Sequence, residues 1–207
     1  MNNVNYQKKL FEIIEKVKDL PQKPTLLLHA CCGPCFTIPY EEIKDYFDIT
    51  IIYNNSNIYS KEEHDRRLSE LKRYIKEIGA TIKFIEFPYD GESFVEDLKP
   101  YCDQKEGQDR CRLCFGKRLE EGYRYAFEHH FDYYGTIMTI SRYKNAQDIN
   151  RIGLELEKKY PTTKWLCADF KKNNGYEKSL EIIREHGLYF QEFCGCIFSY
   201  TVWKNKH

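Results

Sequence analysis

The sequence predicts an α/β fold: a single Rossmann-like parallel sheet with helices on both faces, with residues 1-207 forming one domain. Two observations predict it. Short apolar runs bounded by turn residues alternate with stretches of helical spacing, the pattern of repeated strand–helix–strand units. At 207 residues the chain is long enough for one substantial core and short for two, and no repeat or low-complexity segment divides it.

Leu10, Phe11, Ile13, Ile14, Val17 and Leu20 recur at helical spacing, which predicts an amphipathic helix over residues 4–20, stopped by Pro21 and Pro24. "TLLLHA" is then the first strand, followed by a helix over 36–46, strand "DITIIYN" and a long charged helix from about Ser60 to Ile78. Beyond Gly79 comes a third strand, "TIKFIEFPY". Residues 90–112 read as irregular, and a helix resumes over 112–130. Strand "YYGTIMTIS", helix "NAQDINRIGLELEKKY", strand "KWLCADF", helix "GYEKSLEIIREHG" and a short tail complete the chain.

Parallel sheets bind ligands outside the carboxyl ends of their strands, near the point where strand order reverses. Sequence order therefore becomes a map. Cys31, Cys32 and Cys35 follow the first strand, Asn54 to Asn57 the second, Tyr89 and Asp90 the third, Ser141 the fourth and Asp169 the fifth. All are expected at one crevice.

Lys plus Arg and Asp plus Glu both number 32, so net charge offers no global attraction for nucleic acid or membrane. No apolar run approaches the roughly 20 residues of a membrane helix, and the N-terminal stretch alternates apolar with charged residues, unlike a signal peptide. A cytoplasmic location is expected, with no membrane partner. In that compartment structural disulfides are rare, so nine cysteines point to metal or redox chemistry.

Seven of the nine cysteines fall into three groups: Cys31, Cys32 and Cys35; Cys111 and Cys114; Cys194 and Cys196. Short spacings let neighbouring thiolates reach one centre with little closure cost. A closed zinc site uses four ligands and leaves the rest unexplained. An iron–sulfur cluster with a second metal on the spare ligands accounts for more of them. The alternatives are a zinc-stabilised RNA-binding module and a non-catalytic iron–sulfur electron-transfer protein. Cys31 and Cys32 are expected to face opposite ways if the chain stays extended there, and so to serve two adjacent centres. Cys167, in an apolar strand, reads as a small hydrophobe, and nothing favours Cys102 as a ligand.

No G-x-x-x-x-G-K-[ST] or G-x-G-x-x-G loop is present; thiols stand where phosphates would bind. His29 reads as a hydrogen-bonded strand residue, and His64, His129, His130 and His186 as solvated helix residues. Arg110, Arg112, Lys117, Arg118, Arg142, Lys144, Lys171 and Lys172 fall near the expected rim, where they are candidates to pair phosphates. The 17 tyrosines and 13 phenylalanines allow base stacking, although most belong to the core.

"HACCGPC", "DRCRLCFGKRL", "TISRYKN", "DFKKNNGYEKS" and "LYFQEFCGCIFS" together resemble the QueH family, the cobalamin-independent epoxyqueuosine reductases, in matching order from residue 29 to 199. The resemblance implies an adenine nucleotide alpha hydrolase-like version of the Rossmann-like sheet. It also implies reduction of the epoxide of epoxyqueuosine at the tRNA wobble position to give queuosine, using a [4Fe–4S] cluster and an adjacent mononuclear iron. Cys31, Cys32, Cys35, Cys111, Cys114, Cys194 and Cys196 would be the metal ligands. Partners would be the anticodon stem-loop of tRNA carrying epoxyqueuosine and an unidentified low-potential electron donor. Family members often read N-P-N-I and S-P-H-K-N where this chain has "NSNI" and "SRYKN", yet Asn57, Ile58, Ser141, Lys144 and Asn145 still match. Asn57, Arg110, Ser141, Lys144, Asn145, Lys171 and Lys172 are the expected substrate contacts. Asp169 and Tyr143 are the candidate acids for protonating the departing oxygen.

Overall fold

The chain, seen as a computed structural model that describes residues 3–206, forms a five-stranded sheet of order β3-β2-β1-β4-β5 in which every pairing is parallel. The strands are β1 (Thr25–His29), β2 (Asp48–Tyr53), β3 (Lys83–Glu86), β4 (Tyr133–Thr136) and β5 (Lys164–Trp165). Strand order runs outward from β1 in both directions, so the reversal falls between β1 and β4. The crevice rule points there.

Alternation along the strands splits the core into two layers. Leu26 and Leu28 of β1, with Ile49, Ile51 and Tyr53 of β2, pack with apolar residues of α1 (Tyr6–Val17), α2 (Gly33–Ile43), α3 (Lys61–Glu77) and α7 (Gly175–Glu185). Leu27, Ile52 and Tyr134 point the other way, against α5 (Asp109–Glu128) and α6 (Ala146–Lys159). Leu26, Leu27 and Leu28 are fully buried, each contributing about 2 kcal/mol of transfer free energy. Helices therefore cover both faces, as the alternating pattern requires.

The differences from the predicted elements bear on the site. Helix α2 begins at Gly33, not residue 36, because Pro34 occupies the first turn, where its missing N–H costs nothing. Cys35 is thereby carried on a helix instead of a loop. Helix α5 begins at Asp109, whose carboxylate sits in the first turn where the helix dipole favours it. Cys111 and Cys114 thus share one helical face. Strand β4 ends early: the Thr136 side chain accepts from the Met138 N–H, and residues Ile137–Ile140 coil into a 3-10 turn that delivers Ser141 to the crevice. The stretch 90–112 contains a short helix, α4 (Gly91–Glu96), N-capped by Asp90, and the tail contains α8 (Ile197–Lys204). Cys167 lies just beyond β5 rather than within a strand, but is buried as expected.

Candidate metal centre

At the carboxyl end of β1 the Sγ atoms of Cys31, Cys32 and Cys35 lie within 4.8 Å of one another. Cys31 and Cys32 do not face opposite ways: their sulfurs are 3.9 Å apart. The extended run ends at Cys32, the N-cap of α2, so strand alternation no longer governs the pair. These three thiols line a narrow crevice of about 80 Å³, with Asn57, Arg67, Arg118, Ser141, Tyr143, Lys144 and Cys194 among its other walls. Cys194 also lines a second cavity with Cys102, Cys111 and Cys196, and so joins the groups. Cys114 is buried one turn after Cys111, and both feel the charge of Cys194.

Each coupled group concentrates ionisation on one sulfur. Hydrogen bonds from Cys32 and Cys35 hold Cys31 well below the ordinary thiol range, while burial and the Cys31 charge push Cys32 up. A hydrogen bond from Cys196 likewise holds Cys194 low. Burial pushes Cys114 up to about 11. Thiolate is the ligand form, so the geometry prepares one sulfur in each of these two groups.

Three cations are buried around them. Lys144 is pulled down by burial, but the charges of Cys194, Cys31 and Cys35 outweigh this and hold its ammonium above the usual value. Arg67 lies against the Cys194 segment. Arg118 donates from Nη2 to Asn55 Oδ1 at 2.6 Å and faces His29 Nε2 at 3.2 Å, while its buried Nε has no partner among the described residues. His29 Nε2 lies 3.2 Å from both Arg118 Nη2 and Asn55 Oδ1, and its Nδ1 lies 2.7 Å from Thr136 Oγ1, so both ring nitrogens are engaged. Burial first, then the Arg118 charge, lowers the His29 pKa to about 3. Asn55 in turn donates to the Ala30 carbonyl at 2.7 Å, just ahead of the thiols. His29 is thus the hydrogen-bonded strand residue its position suggested.

The other expected residues separate into two sets. Asn57, Ser141, Tyr143 and Lys144 line the crevice, and Asn57 Oδ1 is buried without a partner among the described residues. Asp169 lies in an adjoining cavity that shares Arg142, Tyr143 and Lys144 with the crevice, and is ion-paired to Lys171 at 3.0 Å. Lys171 also donates to the Thr139 carbonyl at 2.6 Å, and Asn145 caps α6 by accepting from the Gln147 N–H at 2.9 Å. Arg110 is buried, donating to the carbonyls of Tyr101, Cys102 and Gln104. Arg112 pairs with Asp109 and Asp148, and Lys117 with Asp97. Arg142 and Lys172 remain as exposed cations beside the adjoining cavity. Tyr89 and Asp90 do not reach the thiols; Tyr89 donates to the Ile58 carbonyl at 2.8 Å and braces the loop after β2. His64 is buried between the rings of Tyr53 and Tyr89, not solvated. Arg67 was missed because on a charged helix it looks like any solvated arginine; only Gly195 packed against it would have been a signal.

A family model described as epoxyqueuosine reductase QueH matches residues 26–202. Among curated proteins, the epoxyqueuosine reductase QueH of Staphylococcus aureus (strain Mu50) is 39% identical over 202 residues, covering 95% of this chain and 84% of that protein. That of Streptococcus pyogenes serotype M1 is 38% identical over 200 residues, covering 95% and 78%. Among solved structures, the U34-tRNA thiolase NcsA from Methanococcus maripaludis, determined with its [4Fe-4S] cluster, superposes with a TM-score of 0.50 at 14% identity, covering 93% of this chain and 67% of that one. At that identity the likeness concerns the fold.

Proposed function

Because the chain belongs to the QueH family of epoxyqueuosine reductases, we propose that its crevice over β1 is where the epoxide of epoxyqueuosine in tRNA is reduced to give queuosine, with seven cysteines holding a [4Fe–4S] cluster and an adjacent iron. The protein is an oxidoreductase. Turning an epoxide into an alkene removes oxygen as water and consumes two electrons and two protons. A low-potential electron donor supplies the electrons. Among the described residues no helix is long and apolar enough to cross a membrane.

The observation that carries this reading is the convergence of Cys31, Cys32 and Cys35 in a crevice that Asn57, Ser141, Tyr143 and Lys144 also line. A pure electron carrier needs no such cavity. The residues present suit an iron–sulfur group: soft sulfur ligands in excess of one tetrahedral site, and buried cations facing them to offset the charge of a thiolate-bound cluster. When bound, that group supplies single-electron transfer and Lewis acidity.

The chain's own residues do the rest. Asn57 Oδ1, buried and unpaired, is placed to accept from a substrate hydroxyl, which would relieve about 1–3 kcal/mol of desolvation. Tyr143 lines the crevice and is 62% exposed; Arg142 orients its phenol by donating to Oη at 2.9 Å. It is the proton donor we favour over Asp169, which is held by Lys171 in the adjoining cavity. Arg142 and Lys172 flank that cavity and are suited to tRNA phosphates, while Lys144 lines both cavities. Arg110, Asn145 and Lys171 shape the walls through their internal hydrogen bonds.

Anaerobic reconstitution followed by turnover of epoxyqueuosine-containing tRNA, read by nucleoside mass spectrometry, tests the proposal. About five irons and roughly four sulfides per chain, with queuosine as product, are expected. One zinc per chain and no queuosine would overturn it.

A further inference from the structure

Cys194 reaches the crevice on a strap that also carries Cys196. Residues 188–196 form neither helix nor strand, and α8, which follows, buries none of its residues. The strap is met by Arg67 of α3, only 3% exposed. Its Nη1 donates to the Cys194 carbonyl at 3.2 Å and its Nη2 to the Phe193 carbonyl at 3.4 Å, with the guanidinium 5.3 Å from the centre of the Phe193 ring.

The third nitrogen anchors the fork. Nε donates to Glu63 Oε1 at 2.7 Å, one turn back on α3, and the two oxygens of Glu63 also accept from the Tyr189 hydroxyl at 3.2 and 3.0 Å. One buried ion pair thus grips the strap at its start and at its cysteine. Gly195 completes the fit: its φ is +116°, and a Cβ there would come within 2.7 Å of Arg67 Nη1. The Gly195 carbonyl accepts from the Tyr59 N–H at 2.7 Å. Arg67 also lines the crevice beside Cys31, Cys32, Cys35 and Cys194.

We propose that Arg67 is a positioning residue of the metal centre, fixing the Cys194 thiol at the crevice by gripping two successive carbonyls of the strap from a buried ion pair with Glu63. Arginine suits this because its planar fork offers separate N–H groups to two acceptors while a third pairs the carboxylate; a lysine has one point charge to share. The inference rests on the reading of Cys194 as a metal ligand.

Anaerobically reconstituted R67M, R67K and G195A, compared with the unaltered protein, test it through iron and sulfide per chain, the electron paramagnetic resonance spectrum of the reduced protein, and circular dichroism. R67M is expected to keep its secondary structure, load less than half the iron and give an altered spectrum. R67K should restore part of the iron while the spectrum stays altered. G195A, which disturbs the same contact from the strap side with Arg67 in place, should alter the spectrum in the same direction. Full iron and an unchanged spectrum in R67M and G195A would overturn the inference, and if R67M does not fold, an unchanged G195A spectrum is enough to do so. Failure of the unaltered protein to take up iron would instead remove the metal reading.

Discussion

Replacing Arg118 by methionine keeps most of the side-chain volume and removes a buried cation from beneath the thiols. Two contacts go with it, the 2.6 Å donation to Asn55 Oδ1 and the 3.2 Å contact with His29 Nε2. A hydrogen bond from a charged donor contributes about 1.5–3 kcal/mol, and the abandoned acceptors are buried where water does not replace the donor. Leaving a buried neutral acceptor without its donor costs about 1–3 kcal/mol, and a loss of about that size is expected here. Urea unfolding of the metal-free protein at pH 7 under strong reductant measures it as a fall in midpoint at constant slope. Asn55→Ala and the double variant complete a cycle. A large share of the Arg118 loss should vanish when Asn55 is already gone, because the two act through one contact. If R118M loses less than about 1 kcal/mol, or if the two effects simply add, the network does not support the β1 end as argued.

Tyr143→Phe should lower kcat by about 10²-fold or more with iron content unchanged, whereas Asp169→Asn should stay within a few-fold of wild type; the reverse pattern, in single-turnover assays, would reassign the acid. Gly153→Ala in α6 would place a Cβ 2.2 Å from ring atoms of Trp165, whose Nε1 is tied to Asn150 Oδ1 at 3.0 Å. Overpacking should outweigh the gain in helix propensity and destabilise the protein by about 2 kcal/mol in urea. Cys167→Ala should leave iron and turnover intact and cost a modest fraction of stability, since burial first, with the charge of Glu157 adding to it, pushes that thiol up to about 12 and it lines neither cavity that the grouped thiols line; lost iron would make it a ligand.

The three-layer architecture was legible because β1, β2 and β4 are apolar runs buried on both faces, and their periodicity survives in the structure. Strand ends were less so. Thr136 turns its hydroxyl back onto the Met138 N–H, a local contact that an apolar sequence such as "TIMTI" does not advertise. The cysteine groups were visible from spacing, and the crevice rule gathered Cys31, Cys32 and Cys35 with Ser141 and Lys144. Spacing could not reveal which cations turn inward. Arg110 and Arg118 sit eight positions apart on α5 and look alike in sequence, yet one is consumed by loop carbonyls and the other lines the crevice with the thiols. Asp169 shows the same limit: β5 ends at Trp165, well short of the expected "KWLCADF", and Asp169 lies beyond it, paired with Lys171 in a neighbouring cavity.

A chain of zero net charge has gathered three buried cations, Arg67, Arg118 and Lys144, around sulfurs, and the metal-free protein must register that in its pH dependence. Cys31 and Cys194 are held well below the ordinary thiol value, by hydrogen bonds from Cys32 and Cys35 and from Cys196, with Lys144 and Arg118 adding to both. A depressed group contributes stability that is complete above its unfolded pKa, about 8.5 for a thiol, and is lost as pH falls toward its folded value. Below about pH 8.5 the unfolded chain binds a proton at each of these sites that the folded chain does not, so stability should rise with pH by up to about 1.4 kcal/mol per unit for each thiolate. Cys32, Cys35, Cys114 and Cys196 are raised and act with the opposite sign, but only above that same unfolded value, where their contribution begins to fail. Stability of the metal-free protein should therefore climb from pH 7 to a maximum near pH 8–9 and then decline. Urea midpoints across pH 6.5–9.5 under strong reductant measure the curve, and Cys31→Ala should remove about half the rising slope. A flat profile between pH 7 and 8.5, or one unaltered by Cys31→Ala, would mean that the buried cations are not balanced by thiolates before metal arrives.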